Sequence, residues 1–508
     1  MKYNQKIKNK LNIKKKDFER FLSLKQFSDE LDLNIKDIEI DELILENKYK
    51  EKENEILNYL NKIEFKGLKL LDLSYNKISD LPIFENNIFK GLKELILNNN
   101  RIKDLKILDK FNFENLQILN LNANDIRDLS PLQNVQYNKL KELYLYSNQI
   151  TDLTGFDTFQ FEQLEILDLH QNFISDINIL EKAHFKQLKE LNLSSNKIED
   201  IKILNNINFK ELINLDLCWN YINIINITQS FNGLKELYIT NNYISKINIL
   251  ENIYLKKLET LNFHSNRIID INFLEKIKAE KLQDLDLSSN RISNINVLEK
   301  VNFKELKILI LYENYISDIN ILAKTKFENL EKIFLYNNKI SDIKILENVN
   351  FPNLKWLSLE SNEISDINVL DKVKFNKLEG LYLNNNKISD IKVLESVNFP
   401  NLKGLSLKSN EISNINVLDK VKFNKLEDLN LNNNKISDIT ILENVKLLGL
   451  KKLRLLGNNI ANLNVFKKVK YLKLDNLYIN IDIKKKRNKK ILDYLKSYIT
   501  KKIITYDY

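Results

Sequence analysis

Leu92-Lys93-Glu94-Leu95-Ile96-Leu97-Asn98-Asn99-Asn100 is the stretch that decides the fold, because the chain keeps returning to it. Seventeen asparagines from Asn76 to Asn458 recur at steps of 24 residues, with a single step of 22 between Asn220 and Asn242. Each closes the same pattern, Leu-x-x-Leu-x-Leu-x-x-Asn, as Leu378, Leu381, Leu383 and Asn386 do. In the short step, two residues are missing between Ile227 and Phe231. A fixed period of this length means a stack of coils and not a globule around one centre.

The chemistry of one coil follows from the pattern. Around Leu-x-Leu the period is two, so a short strand points both leucines inward and the residue between them outward. Successive strands then form a parallel sheet with about 4.8 Å between neighbours. The asparagine sits where the chain turns off the strand and leaves backbone groups unpaired; its amide both donates and accepts, so it satisfies them from inside the stack. After it comes Ile-x-x-Ile-x-x-Leu, as in Ile388, Ile391 and Leu394, a three-residue step suited to a short α or 3₁₀ turn. Pro82 and Pro131 fit the first turn of such a helix, where a missing N–H costs nothing.

An aromatic column precedes the first leucine by three residues: Phe65, Phe89, Phe113, Tyr137, Phe161, Phe185, Phe209 and Phe231, then Phe303, Phe327, Phe351, Phe375, Phe399 and Phe423. Rings at a fixed interval in a stack are core. The column lapses at Leu255 and Ala279, where Phe273 is a candidate to fill the gap.

These residues resemble the leucine-rich repeat family. The resemblance implies an α/β fold: a right-handed solenoid with a curved parallel sheet on the concave face and short helical turns on the convex face. The form of the repeat is similar to the cytosolic phosphatase-regulating repeats and to the internalins (Ile150-Thr151-Asp152-Leu153 is one internalin-like stretch). The first resemblance implies a regulatory or adaptor role, the second a surface adhesin; a substrate receptor of a ubiquitin ligase is a further option. The period of 24 departs from the 22 typical of both repeat types.

The ends read as caps. Residues 1–62 are a basic segment followed by a degenerate strand (Ile40, Leu43, Leu45) and a helical stretch at 51–62. The array fills 63–482 with about eighteen coils, the last being Leu474, Leu477 and Ile479 with Asp482 in place of the asparagine. Residues 483–508 form a basic helical cap with Ile491, Leu492, Leu495 and Ile499 on one stripe, expected to cover the last coil's leucines. The run Lys484 to Lys490 reads as a solvated lead-in to that helix or as a targeting patch.

Bulk composition limits function. The net charge is +9, but 71 of the 78 basic residues are Lys, and Arg is the side chain that reads phosphate and guanine in bidentate fashion. We therefore expect no nucleic-acid role. No run approaches 18 consecutive apolar residues, so no membrane helix is expected. One cysteine and no apolar leader suggest the cytoplasm, with the nucleus as an option.

Little in the chain suggests catalysis. His170 and His264 share a column four coils apart, roughly 19 Å at sheet spacing, too far to share a metal. Cys218 lies two coils from either, roughly 10 Å, too far for a thiolate–imidazole pair. With eight glycines in all there is no phosphate-cradling loop. The expectation is no enzyme, no metal and no cofactor.

What varies is the concave face. Its columns carry Asp72, Glu94, Glu142, Asp168, Glu190, Asp216, Glu236, Asp284, Asp286, Glu313, Glu360 and Asp428 against only Lys332, Lys408, Lys452 and Arg454, a net −8. Aromatics gather there in two groups: Tyr144, Tyr146, Trp219 and Tyr238, then Tyr312, Phe334, Tyr336, Trp356 and Tyr382. Exposed Tyr and Trp mark interaction hot spots, and an acidic groove draws basic partners. Residues 351–398 and 399–446 are near-copies that differ at nine positions. Four of the nine fall on eight concave positions: Trp356/Gly404, Glu360/Lys408, Gly380/Asp428 and Tyr382/Asn430. The sequence is thus read as a protein-binding scaffold whose partner has a basic surface. Its candidate contacts are those nine aromatics with Glu142, Asp168, Glu190, Asp216 and Glu236.

Overall fold

The computed structural model describes residues 37–39, 42–44, 64–79, 89, 91–106, 108, 113–135, 137–159, 161–207, 209–226, 231–249, 253–469, 474–481, 486–496, 499 and 502–504. The helical stretch expected at 51–62, the basic start of the chain and Pro82 lie outside them. The chain forms two compact units, Met1–Ile249 and Leu250–Tyr508, a division the continuous repeat does not announce.

In the first unit, three-residue strands pair in parallel from Glu42–Ile44 through Leu70–Asp72, Glu94–Ile96, Ile118–Asn120, Glu142–Tyr144, Ile166–Asp168, Glu190–Asn192 and Asn214–Asp216 to Glu236–Tyr238. In the second, the ladder runs from Thr260–Asn262 through Asp284–Asp286, Ile308–Ile310, Lys332–Phe334, Trp356–Ser358, Gly380–Tyr382, Gly404–Ser406, Asp428–Asn430 and Lys452–Arg454 to Asn476–Tyr478. Each unit is thus an open solenoid of coils. The central Leu or Ile of each strand is buried, and most of its neighbours are half-buried, as period-two alternation requires.

The asparagine column does what its chemistry promised. Asn100 Nδ2 donates to Leu73 O and Leu97 O at 2.9 Å each, while its Oδ1 accepts from Ile78 N at 3.1 Å. Asn386 repeats this with Leu359 O at 2.9 Å, Leu383 O at 3.2 Å and Ile364 N at 3.0 Å. One side chain therefore pins two coils and closes its own turn.

Two recurring devices escaped the sequence reading. The residue just before each ladder asparagine has left-handed backbone, from Tyr75 at φ 58° to Asn433 at φ 54°, with Gly457 in the last such turn. Most L-residues find that region costly, by about 1–2 kcal/mol. The Asp of the Ser-Asp-Ile stretch accepts from the backbone N two residues on, as Asp176 does from Asn178 at 2.8 Å and Asp366 from Asn368 at 2.9 Å. It thereby opens the 3₁₀ turns Asn178–Lys182 and Asn368–Asp371. Pro131 falls in the first positions of the turn Ser130–Asn134, as expected. In the coil before the 22-residue step and the one after it, strands Ile224–Asn226 and Lys246–Asn248 pair just ahead of the position at which other coils open their 3₁₀ turn.

The aromatic column is core. Phe113 and Tyr137 lie 5.9 Å apart, Tyr137 and Phe161 6.4 Å, and Phe399 and Phe423 6.4 Å. Tyr137 is fully enclosed, and its hydroxyl donates to Leu108 O at 3.1 Å. Full burial of such side chains contributes about 1.5–3 kcal/mol each. Phe273 is buried and meets Phe263 edge-on at 5.7 Å.

At the far end the expected helix is present and a strand is added to it. Helix Lys486–Lys496 packs on the turn Leu463–Lys467 with Ile491 and Leu495 buried, and Tyr494 Oη donates to Lys467 O at 3.1 Å. Lys486 to Lys490 belong to the helix itself. The final strand's edge is paired by a further strand, Lys502–Ile504, alongside Asn476–Tyr478. Three residues after a helix carry too short an alternation to be recognised as a strand.

Candidate functional site

In the first unit the register sorts the face into two columns. Glu142, Ile166, Glu190, Asn214 and Glu236 stand side by side, as do Tyr144, Asp168, Asn192, Asp216 and Tyr238. Five carboxylates therefore occupy five successive strands in a staggered row. In this unit Lys106 pairs with Asp104, Lys141 and Lys189 with Glu165, and Lys202 with Asp200, none of them with these five. Glu142, Glu236 and Asp168 meet tyrosine or histidine instead. Tyr144 Oη donates to Glu142 at 2.9 Å, Tyr238 Oη to Glu236 at 3.2 Å, and His170 Nδ1 lies 2.7 Å from Asp168. Burial first, then the Glu142 carboxylate, pushes the Tyr144 hydroxyl well above its ordinary pKa.

The four aromatics of this unit do not form one patch. Tyr146 stacks on His170 at 4.4 Å, planes 9° apart. Tyr144 and Tyr238 are four strands apart in their column, about 19 Å. Trp219 belongs to the left-handed column at φ 56°, 62% exposed, so it projects from the turn and not from the strand. Glu313 in the second unit is a turn residue for the same reason.

The second unit brings four of its five aromatics together as two separate stacks. Tyr312 and Tyr336 lie at 4.2 Å and 8°, with His264 tilted against Tyr312 at 5.8 Å. Burial pushes the Tyr336 hydroxyl up, with Tyr312 adding to it. Trp356 and Tyr382 form the other stack. Phe334 is half-buried in the same column as Tyr382. Beyond Tyr382 an open recess of about 600 Å³ is lined by Gly404, Asp428 and Lys452. Arg454 grips Asp428 with both Nε at 3.0 Å and Nη2 at 2.7 Å.

A column at the strand entrance, missed in the sequence, frames this face. In the second unit it begins with Glu259 and the neutral Gln283, and from there on reads Lys307, Glu331, Lys355, Glu379, Lys403, Glu427, Lys451, Asp475, alternating in sign. Lys355 pairs with Glu331 at 2.8 Å, Lys403 with Glu379 at 2.7 Å and Lys451 with Glu427 at 3.0 Å. The signal was present as a 48-residue period superimposed on the 24. Pairs this exposed contribute only about 0–1 kcal/mol each.

His264, Ser288 and Asp286 make a chain that resembles catalytic machinery in composition but not in arrangement. His264 Nδ1 lies 2.8 Å from Ser288 Oγ, and that hydroxyl donates to Asp286. Ser288 is wholly buried and its proton is committed to a carboxylate, so it is no nucleophile. Cys218 is buried, and its thiol is pushed up to about 12 by that burial and by Asp216 beside it. Among the described residues no group of three or more His, Cys, Asp or Glu could hold a metal, and no helix is long and apolar enough to cross a membrane.

Comparison with known proteins agrees with the coil geometry. The family described as "Leucine Rich repeats (2 copies)" matches residues 66–110, 90–134, 114–158, 138–182 and 352–396. No curated protein matches the chain. A leucine-rich repeat protein of Leptospira interrogans is 22% identical over 85% of this chain and 100% of its own, with a TM-score of 0.51. The functional domain of the internalin InlJ from Listeria monocytogenes is 20% identical over 78% of this chain and 75% of its own, with a TM-score of 0.50. Identities this low speak to the fold alone.

Proposed function

We propose that this chain, which belongs to the leucine-rich repeat family, is a non-enzymatic protein-binding scaffold whose sheet face receives a partner with a basic surface. The observation that carries this reading is the row Glu142, Asp168, Glu190, Asp216 and Glu236. These carboxylates have no lysine or arginine partner among the described residues, and the adjacent Lys141 and Lys189 are drawn to Glu165 instead. Such a row leaves a negative potential that steers a cationic surface toward it and is weakened by salt. A cytoplasmic site of action belongs to the same proposal, supported by a single cysteine in 508 residues.

Affinity capture from native extract tests it. Wild type is compared with the triple variant Glu142→Gln, Glu190→Gln, Glu236→Gln at matched circular dichroism. The expected result is a basic protein that is captured by wild type, lost from the variant and eluted by raising the salt. The same set of proteins on both baits would sink the reading.

A further inference from the structure

Seven of the eight glycines have a local reason to be glycine. Gly67, Gly155 and Gly457 have φ of 85°, 102° and 67°. A Cβ on Gly91, Gly233, Gly380 or Gly449 would come within 2.7–3.3 Å of a neighbouring atom. Gly404 has neither. Its φ is ordinary, and an added Cβ would meet only the Tyr382 hydroxyl at 3.6 Å, a normal contact. Glycine inside a strand costs roughly 0.5–1 kcal/mol relative to alanine. Such a glycine often marks the close approach of another molecule. Its counterpart 48 residues earlier is Trp356, so a coil of this kind holds a large side chain at that position.

What lies above Gly404 is a slot. Trp356 covers one side of the Tyr382 ring, and the recess opens past the Tyr382 hydroxyl toward Asp428. Two strands further on, the protein fills a comparable space itself: the Arg454 guanidinium lies over the Tyr478 ring at 5.0 Å and binds Asp428 with two N–H groups. The slot offers the same two surfaces, a tyrosine face and the Asp428 carboxylate, without the guanidinium. Carboxylate oxygens accept more than one hydrogen bond, so Asp428 has capacity left. The recess is lined by four carboxylates, Glu379, Glu427, Asp428 and Asp475, against three lysines, Lys403, Lys451 and Lys452, and the Tyr382 hydroxyl is pushed up by burial and then by the negative charges of Glu360 and Asp428.

We infer that the slot over Gly404 receives an arginine side chain of a protein partner, its guanidinium flat on Tyr382 and its N–H groups directed to Asp428. This rests on the protein-binding reading and names the group that one part of the face recognises. Arginine is favoured over lysine because only a planar fork both stacks and bridges.

The probe is acetyl-Gly-Arg-Gly-amide, followed by saturation-transfer NMR on the full chain, with the Lys and Phe tripeptides alongside. The expected result is transfer to the arginine side chain that exceeds the lysine peptide by about threefold or more. It should vanish in Gly404→Trp, which installs the residue of the sister coil, and in Tyr382→Leu, which removes the stacking face. It should survive in the Glu142/Glu190/Glu236 triple variant. Arginine binding unchanged in Gly404→Trp, or a phenylalanine peptide that binds as well as arginine, overturns the assignment. Should Gly404→Trp fail to fold, Tyr382→Leu decides by the same readout. Loss of the slot with retained capture of a basic protein would leave the scaffold reading standing; capture indifferent to the triple variant would remove that reading whatever the peptides do.

Discussion

Trp356 and Tyr382 lie ring on ring, centroids 5.8 Å apart and planes 5° from parallel, above a glycine that leaves them room. A Cβ on Gly380 would stand 2.7 Å from the Trp356 ring and 2.8 Å from the Tyr382 ring. Gly380→Ala should therefore unstack the pair. Because both rings are half-exposed, the cost should be modest, about 1 kcal/mol. Tryptophan emission should shift to the red. An unshifted spectrum would mean the stack does not depend on the missing side chain.

Asn386→Ala should be far more damaging than any surface change. It removes the donor to Leu359 O and Leu383 O and the acceptor for Ile364 N, all buried. Stranded backbone groups cost about 1–3 kcal/mol each, so a loss of about 2–4 kcal/mol is expected. Urea denaturation followed by circular dichroism reads it; a midpoint within error of wild type would contradict the clamp.

Ser195 has φ 54°, a conformation glycine adopts at no steric cost. Ser195→Gly should stabilise the first unit, or at least leave its unfolding midpoint unlowered, against the usual penalty for introducing glycine. A loss of about 1 kcal/mol, the ordinary glycine effect, would show that the left-handed turn carries no strain.

Cys218 should resist alkylation. With its thiol pushed up to about 12, far less thiolate exists at pH 8 than for a free cysteine. Iodoacetamide should react about a thousandfold slower with the folded chain than with the chain in urea. Equal rates by mass spectrometry would place the thiol in water.

Glu360 is raised above the ordinary carboxylate range by burial, against which the Ser358 hydroxyl works. A folded-state pKa above the unfolded one makes ionised Glu360 a cost at neutral pH, relieved as pH falls through the folded value. Glu360→Gln should thus be the more stable at pH 7, with the gap closing toward pH 4. A gap that widened on acidification would reverse the sign of the burial argument.

The fold was legible because its determinants are local and periodic. Leu95 and Leu97 face inward by alternation, and Asn100 turns the chain because no other side chain both donates and accepts at that length. The column before the asparagine was not legible as left-handed. Serine, asparagine, glutamine, tryptophan and glutamate all occur there, and backbone geometry set by the neighbouring clamp overrides their preferences. Of the site, the face columns and their acids could be counted from spacing. The two distinct ring stacks and the open slot at Gly404 depend on side-chain direction, which spacing does not contain.

The alternating column from Lys307 to Asp475 bears on how such an array lengthens. Excising a single coil, residues 375–398, would bring Lys355 next to Lys403, whereas excising the 48 residues 351–398 would bring Glu331 next to Lys403. Gains and losses of chain are thus electrostatically neutral in pairs and frustrated one at a time. The near-copy at 399–446 is itself a pair: heredity here has been handling the double coil, not the single one, as its unit of currency.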